Sequence, residues 1–276
     1  MNYGALFFLV GFFALASSWV GLVLAPQLQV GRQDLTTVTG TPDLYPQPRP
    51  GMAAQGAQVY RANGCMACHS QQVRQSGTVL DVVLNEVGTN QPAVLAALQE
   101  LGAKLDAADL DALPKDVLRG VDPSASGHAD LVLKPTGAKY SIRVRPVGPD
   151  IERGWGRRGT VAQDYLRDNP VMLGSQRLGP DLANIGIRQP DANWHLNHLY
   201  APKSVVPEST MPPYRFLFEK RKVGRESSPE ALNLTGEFAP EPGYEIVPTD
   251  EARALVAYLK SLRADEPLFV APMSVK

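Results

Sequence analysis

Cys65-Met66-Ala67-Cys68-His69 is the stretch on which the reading of the chain turns. Its two cysteines are the only ones among 276 residues, and they stand as C-x-x-C-H. That spacing is the attachment pattern for c-type haem. Two thiols add across the two porphyrin vinyl groups, and the adjacent imidazole is then placed as an axial iron ligand. One helical turn carries all three groups. A structural zinc site would need further soft ligands, and the remaining histidines are His128, His195 and His198. A thioredoxin-like redox pair would want a βαβ context. The motif predicts one covalent haem c, held by Cys65 and Cys68, with His69 on the iron.

Upstream, residues 3–25 are apolar, relieved only by glycines and by Ser17 and Ser18, and no charged side chain appears before Arg32. About 20 apolar residues cross a bilayer as a helix. A cleaved signal peptide would have a basic start and a shorter apolar stretch, and cleavage after Ala25 would expose Pro26. Residues 1–26 therefore read as an uncleaved transmembrane anchor, with Trp19 as an interfacial residue. Haem is attached covalently outside the cytoplasmic membrane. The expected location is thus the inner membrane of a bacterium, single-pass, with the haem domain on the periplasmic side. Residues 27–51, with Pro42, Pro46, Pro48 and Pro50, read as a semi-extended linker.

Net charge is −1, so nothing points to nucleic acid or to an acidic partner. Pro and Gly number 24 each, which suits a loop-rich domain. Residues 52–71 read as a helix ending in the haem motif, with Ala53, Ala57 and Tyr60 at helical spacing. Residues 76–149 read as a small α+β insertion: Val94, Leu95, Leu98 and Leu101 form a helical stripe, and Tyr140, Ile142 and Val144 alternate as in a strand. Two roles are open to it, a cover on one side of the haem domain or a docking module. His128, in Ser124-Ala125-Ser126-Gly127-His128, reads as an exposed loop residue.

Farther on, Arg153-Gly154-Trp155-Gly156-Arg157-Arg158 is basic, either solvated or facing haem propionates. Arg177 and Arg188 are the better propionate candidates, since guanidinium binds carboxylate bidentately. His195 and His198, three apart on a short helix, are expected at a surface or interface, with Trp194 and Leu199 packing inward. Residues 220–248 read as an exposed loop. Thr249-Asp250-Glu251 opens a last helix, with Leu255, Val256, Leu259 and Leu262 as its apolar stripe.

The order of these features resembles a class I cytochrome c. In that family a Gly-Pro-x-Leu turn covers the histidine side of the haem. Gly179-Pro180-Asp181-Leu182 matches it, so Pro180 is expected to accept a hydrogen bond from His69. The family places its methionine ligand between that turn and the last helix. Met211, in Pro207-Glu208-Ser209-Thr210-Met211-Pro212-Pro213-Tyr214, stands there and is expected as the second axial ligand. The implied fold is mainly α: an N-terminal transmembrane helix, then a class I cytochrome c domain over residues 52–276 with the insertion inside it.

The local wording is narrower. Gly64-Cys-Met-Ala-Cys-His-Ser-Gln71, the run from Gly174-Ser175-Gln176-Arg177 to Ala183, Trp194-His195, and Val205-Val206-Pro207-Glu208 through Pro212 resemble the monohaem subunit II of C-family (cbb-type) haem–copper oxidases. The resemblance implies an electron relay. Other c-type cytochromes would be the donors, and the catalytic haem–copper oxidase subunit the acceptor. The chain itself contains no residue set for reducing oxygen, so catalysis would belong to the partner. Two alternatives remain: the small cytochrome c subunit of a nitric oxide reductase, and a free-standing anchored electron shuttle. Residues 76–149 are longer than that family leads one to expect at this place.

Overall fold

The computed structural model describes residues 3–29, 33–107, 110, 113–269 and 271; Met273 and its neighbours in the tail lie outside them. The chain forms two compact units, one from Met1–Pro48 with Val161–Val171, the other from Arg49–Thr160 with Met172–Lys276.

The first unit begins with one apolar helix, Gly4–Gln29. It comprises α1 (Gly4–Trp19), a π-helical turn (Val20–Leu24) and α2 (Ala25–Gln29), none of them with a buried residue. At 1.5 Å per residue its 26 residues span about 39 Å, enough for a bilayer core of about 30 Å. The helix continues past the predicted end at residue 26. Pro26 has no N–H to donate, and the wider turn just before it opens the hydrogen-bond ladder at that point. The expected linker is less plain than read. β1 (Thr36–Thr37) pairs with β2 (Leu44–Tyr45), and the buried Tyr45 donates its hydroxyl to Asp164 Oδ1 at 2.6 Å. Asp164 also accepts the Val161 N–H at 2.8 Å, and Arg167 Nε donates to the Pro46 carbonyl at 2.7 Å.

The second unit holds two hydrophobic cores. The first is built by α3 (Gly51–Ala62) against α9 (Asp250–Ser261). The helices meet at Gly56, where a Cβ would fall 1.8 Å from the Ala254 carbonyl oxygen, so only glycine permits the approach. Next to it the Tyr60 and Tyr258 rings lie 5.2 Å apart, an aromatic pair contributing about 0.5–1.5 kcal/mol beyond its burial. The Thr249 hydroxyl caps α9 by accepting the Ala252 N–H, as expected from the sequence. α7 (Ile185–Arg188) and α8 (Ala192–Tyr200) complete this core. The stretch read as an exposed loop after residue 220 is a hairpin frame, β6 (Phe218–Lys222) on β7 (Tyr244–Pro248). Glu245, Ile246, Val247 and Pro248 are buried in succession, so β7 has no polar–apolar alternation to stand out in the sequence.

The second core belongs to the inserted stretch. β3 (Gly77–Glu86) is central in a three-stranded antiparallel sheet, between β4 (Lys115–Val121) and β5 (Lys139–Val147). α4 (Gln91–Glu100) and α5 (Ser126–Leu133) cover one face, burying Val82, Leu84, Val94, Leu98 and Leu133. The expected helix and strand are both present, the helix shorter than the 92–105 stripe because the chain turns at Gly102, φ +89°. His128 is exposed, on α5 instead of a loop. Gly77 pairs with Val147, so the stretch leaves and re-enters the rest of the unit at one place. α6 (Pro149–Glu152) follows directly.

Candidate functional site

α3 stops at Ala62, short of the predicted extent. Gly64 takes φ +67°, a left-handed conformation natural to glycine, and releases the chain into a 3-10 turn at Cys65–Ala67. The amides of Ala67, Cys68 and His69 close this turn onto Gly64 and Cys65. Neither cysteine is in a disulfide. Burial pushes the Cys65 thiol up to about 11.

A cavity of about 370 Å³ opens beside the turn. Cys65, His69, Pro180, Arg188, His198 and Met211 line it, among the apolar Tyr60, Leu182, Ile185, Leu199, Val206, Leu255 and Leu259. Its size and lining are those of a cofactor pocket. His69 Nδ1 lies 2.8 Å from the Pro180 carbonyl oxygen. An Nδ1–H donated there leaves Nε2 free as a lone-pair donor. Burial lowers the pKa of the imidazole, against the pull of the Pro180 bond, and favours that neutral form.

The turn carrying Pro180 is laced to the cysteine stretch. Gly179 N–H donates to the Cys68 carbonyl at 3.0 Å, Leu182 N–H to Ser70 at 2.8 Å and Ser175 N–H to Met66 at 3.0 Å. A Cβ on Gly179 would stand 2.2 Å from His69 Cε1, and one on Gly174 would stand 2.3 Å from the His69 carbonyl oxygen. The glycines let the turn lie flat against the histidine.

The arginines divide. Arg188 reaches the cavity wall and donates through Nη2 to the Asp181 carbonyl, while its buried Nε has no partner. Arg177 is committed elsewhere: Nη1 pairs with Asp150 at 2.6 Å, Nη2 donates to the Gln72 carbonyl, and its guanidinium lies over Trp155. Of the two expected propionate contacts, Arg188 lines the cavity and Arg177 does not. In the basic stretch, Arg157 pairs with Asp265 at 2.9 Å, and Arg158 is buried with Nε on the Glu266 carbonyl. These two fasten the C-terminal segment.

His195 and His198, expected at a surface or interface, both line the cavity. His195 is buried, with Nε2 2.8 Å from the Gln189 carbonyl oxygen. His198 lines the cavity, its ring stacked 4.8 Å from that of Trp194, and its Nδ1 is buried without a partner. Burial, with His69 and His195 nearby, lowers its pKa to about 4, so it is neutral near pH 7. From the sequence His198 is expected at a surface or interface, and the structure puts it in the pocket wall. The i, i+4 spacing from Trp194 was the available signal.

The donor set suits a flat apolar cofactor that bears carboxylates. The walls are apolar, two thiols and an imidazole stand on one turn, a thioether lines the cavity, and so does Arg188, whose buried Nε has no partner. Among the described residues no cluster of three or more His, Cys, Asp or Glu is placed to hold a bare metal ion.

Residues 136–236 match the family described as cytochrome C oxidase, mono-heme subunit/FixO, which bears out the resemblance read from the sequence. A different likeness covers 24% of the chain. Over 70 residues it is 41% identical to large ribosomal subunit protein bL12 of Cupriavidus taiwanensis and 43% identical to that of Burkholderia thailandensis. The chain covers 56% of the length of each of these relatives.

Proposed function

We propose, from a chain whose residues 136–236 carry the signature of the monohaem cytochrome c oxidase subunits, that this protein is a membrane-anchored monohaem c-type cytochrome of a cbb-type terminal oxidase. The observation that carries the reading is one pocket lined by Cys65, His69 with its Pro180 carbonyl, and Met211. In this reading Cys65 and Cys68 would hold the haem covalently, and His69 and Met211 would ligate its iron. Arg188 meets a propionate. The bound haem supplies a reversible one-electron couple. The chain's part is to exclude water with the Tyr60, Leu199, Leu255 and Leu259 walls, to keep His69 neutral, and to fix both ligands so that little moves between oxidation states.

The anchor reading rests on the Gly4–Gln29 helix, which is long and apolar enough to span a bilayer. The haem domain then lies on the periplasmic side, as covalent haem attachment requires, and is built as a class I cytochrome c over residues 52–276. Electrons enter from other c-type cytochromes and leave toward the oxygen-reducing haem–copper subunit, where catalysis takes place. The family match does not favour the nitric oxide reductase reading. The ribosomal likeness we assign to the inserted stretch, whose length is close to 70 residues and which has its own core. It is a surface excursion of the haem domain and takes no part in haem ligation.

Detergent extraction of the native membrane tests the assignment. The chain should co-purify with a multi-span protein containing haem and copper. Recovery alone, or with a haem and non-haem iron protein, would contradict it.

A further inference from the structure

Asp181 stands at position three of the Gly-Pro-Asp-Leu turn and is fully buried, with 0% of its surface exposed. Its carboxylate collects three donors. Oδ2 accepts the Ser70 hydroxyl at 2.6 Å and the Gln72 N–H at 2.7 Å, and Oδ1 accepts the Ala183 N–H at 2.9 Å. Two of these donors come from the residues just after His69, and the third from its own turn. The carboxylate thus closes the lacing around the His69–Pro180 contact from the far side. Three donors on two oxygens call for an acceptor at both, which a carboxylate supplies and an amide does not.

The charge is weakly balanced. The carboxylate has an ion pair with Arg177, whose Nη2 is 3.8 Å from Oδ2, yet that guanidinium is shared with Asp150, which it meets at 2.6 Å. Arg188 donates to the Asp181 backbone carbonyl, not to its carboxylate. A buried negative charge beside an axial imidazole favours the oxidation state of higher positive charge, and low dielectric makes that effect strong.

We propose that Asp181 is the positioning residue for the axial imidazole, holding His69 on the Pro180 carbonyl and lowering the reduction potential of the haem through its charge. The proposal rests on the haem reading above. Asp181→Asn keeps the shape, removes the charge and turns one of the two accepting oxygens into a donor. Spectropotentiometry of the purified, haem-loaded full chain should show its equilibrium shifted about tenfold toward the reduced form, ~59 mV upward for one electron. Ser70→Ala removes one arm and keeps the charge. Its potential should stay within about twofold of native on the same scale, while the electron paramagnetic resonance g values of the oxidised haem shift as the imidazole plane loosens. Arg177→Met removes the counter-charge and should move the potential downward, which keeps the charge testable if Asp181→Asn loses its haem. An unchanged potential in Asp181→Asn, an unchanged or raised one in Arg177→Met, or native g values in Ser70→Ala would overturn the proposal. Absence of haem from the native chain would instead overturn the haem reading on which it rests.

Discussion

His69 Nδ1 lies 2.8 Å from the Pro180 carbonyl oxygen, although 111 residues separate the two in the chain. The contact survives the insertion of a whole folded segment between its partners, because that segment leaves and returns at adjacent points. Ser76 N–H donates to the Val147 carbonyl at 2.8 Å, and Gly77 pairs with Val147. The haem motif and its covering turn therefore meet as if residues 77–147 were a tight loop.

The close approach of Gly179 to the His69 ring gives the first prediction. Gly179→Ala puts a methyl group 2.2 Å from Cε1, against a backbone turn held by several hydrogen bonds. The imidazole has to swing off the Pro180 carbonyl. Haem content per chain should fall several-fold, measured by the pyridine haemochrome spectrum. Gly127→Ala, where nothing stands within 4 Å, should leave it at the native level.

Met211 gives the second. A thioether ligand stabilises ferrous haem relative to an imidazole. Met211→His should lower the potential substantially and remove the sulfur-to-iron charge-transfer band of the oxidised protein. Met172, buried in the core and absent from the cavity wall, serves as control. Met172→Leu conserves volume, should cost less than about 1.5 kcal/mol, and should keep both potential and band.

The fold was legible in the sequence wherever a pattern was long or a motif strict. The anchor, α4, α8, the Thr249 cap and β5 all follow from periodicity or capping residues that act locally. The β6–β7 hairpin was not legible, because its strands have five residues each and 21 residues stand between them. The roles of Arg177 and Asp181 were also hidden. Their partners, Asp150 and Ser70, are distant in sequence, and neither a buried ion pair nor a buried hydrogen bond leaves a local signature. His198 was misplaced for a similar reason: half-exposed residues on a short helix do not announce which side faces a cavity.

The inserted segment gives the third prediction. Its core shares no residue with that of the cytochrome part, and its two ends meet. Replacing residues 77–147 with a short glycine-serine linker should preserve haem attachment and the charge-transfer band. Loss of haem from that variant would mean the segment supports the haem site.

Glu245 gives the fourth, on pH. The Ser228 N–H at 2.7 Å, together with Arg221 and Ser227, holds its carboxyl below the usual range. The unfolded chain then binds the proton more readily than the folded one. The stabilisation is complete above the unfolded value, about 4.3 for glutamate, and fades as pH falls through the lower folded value. Glu245→Gln should lower the melting temperature at pH 7 and flatten its decline between pH 5 and pH 3. A parallel decline in both proteins would assign the acid sensitivity to other groups.

Covalent attachment is the claim on which the rest depends, and a denaturing gel stained for haem peroxidase activity tests it most directly. The chain of 29.9 kDa, made in a host that matures c-type haem, should give one stained band. In Cys65→Ala combined with Cys68→Ala that band should vanish while the protein stain remains. An unstained native chain, or a stained band that persists in the double variant, would contradict the account.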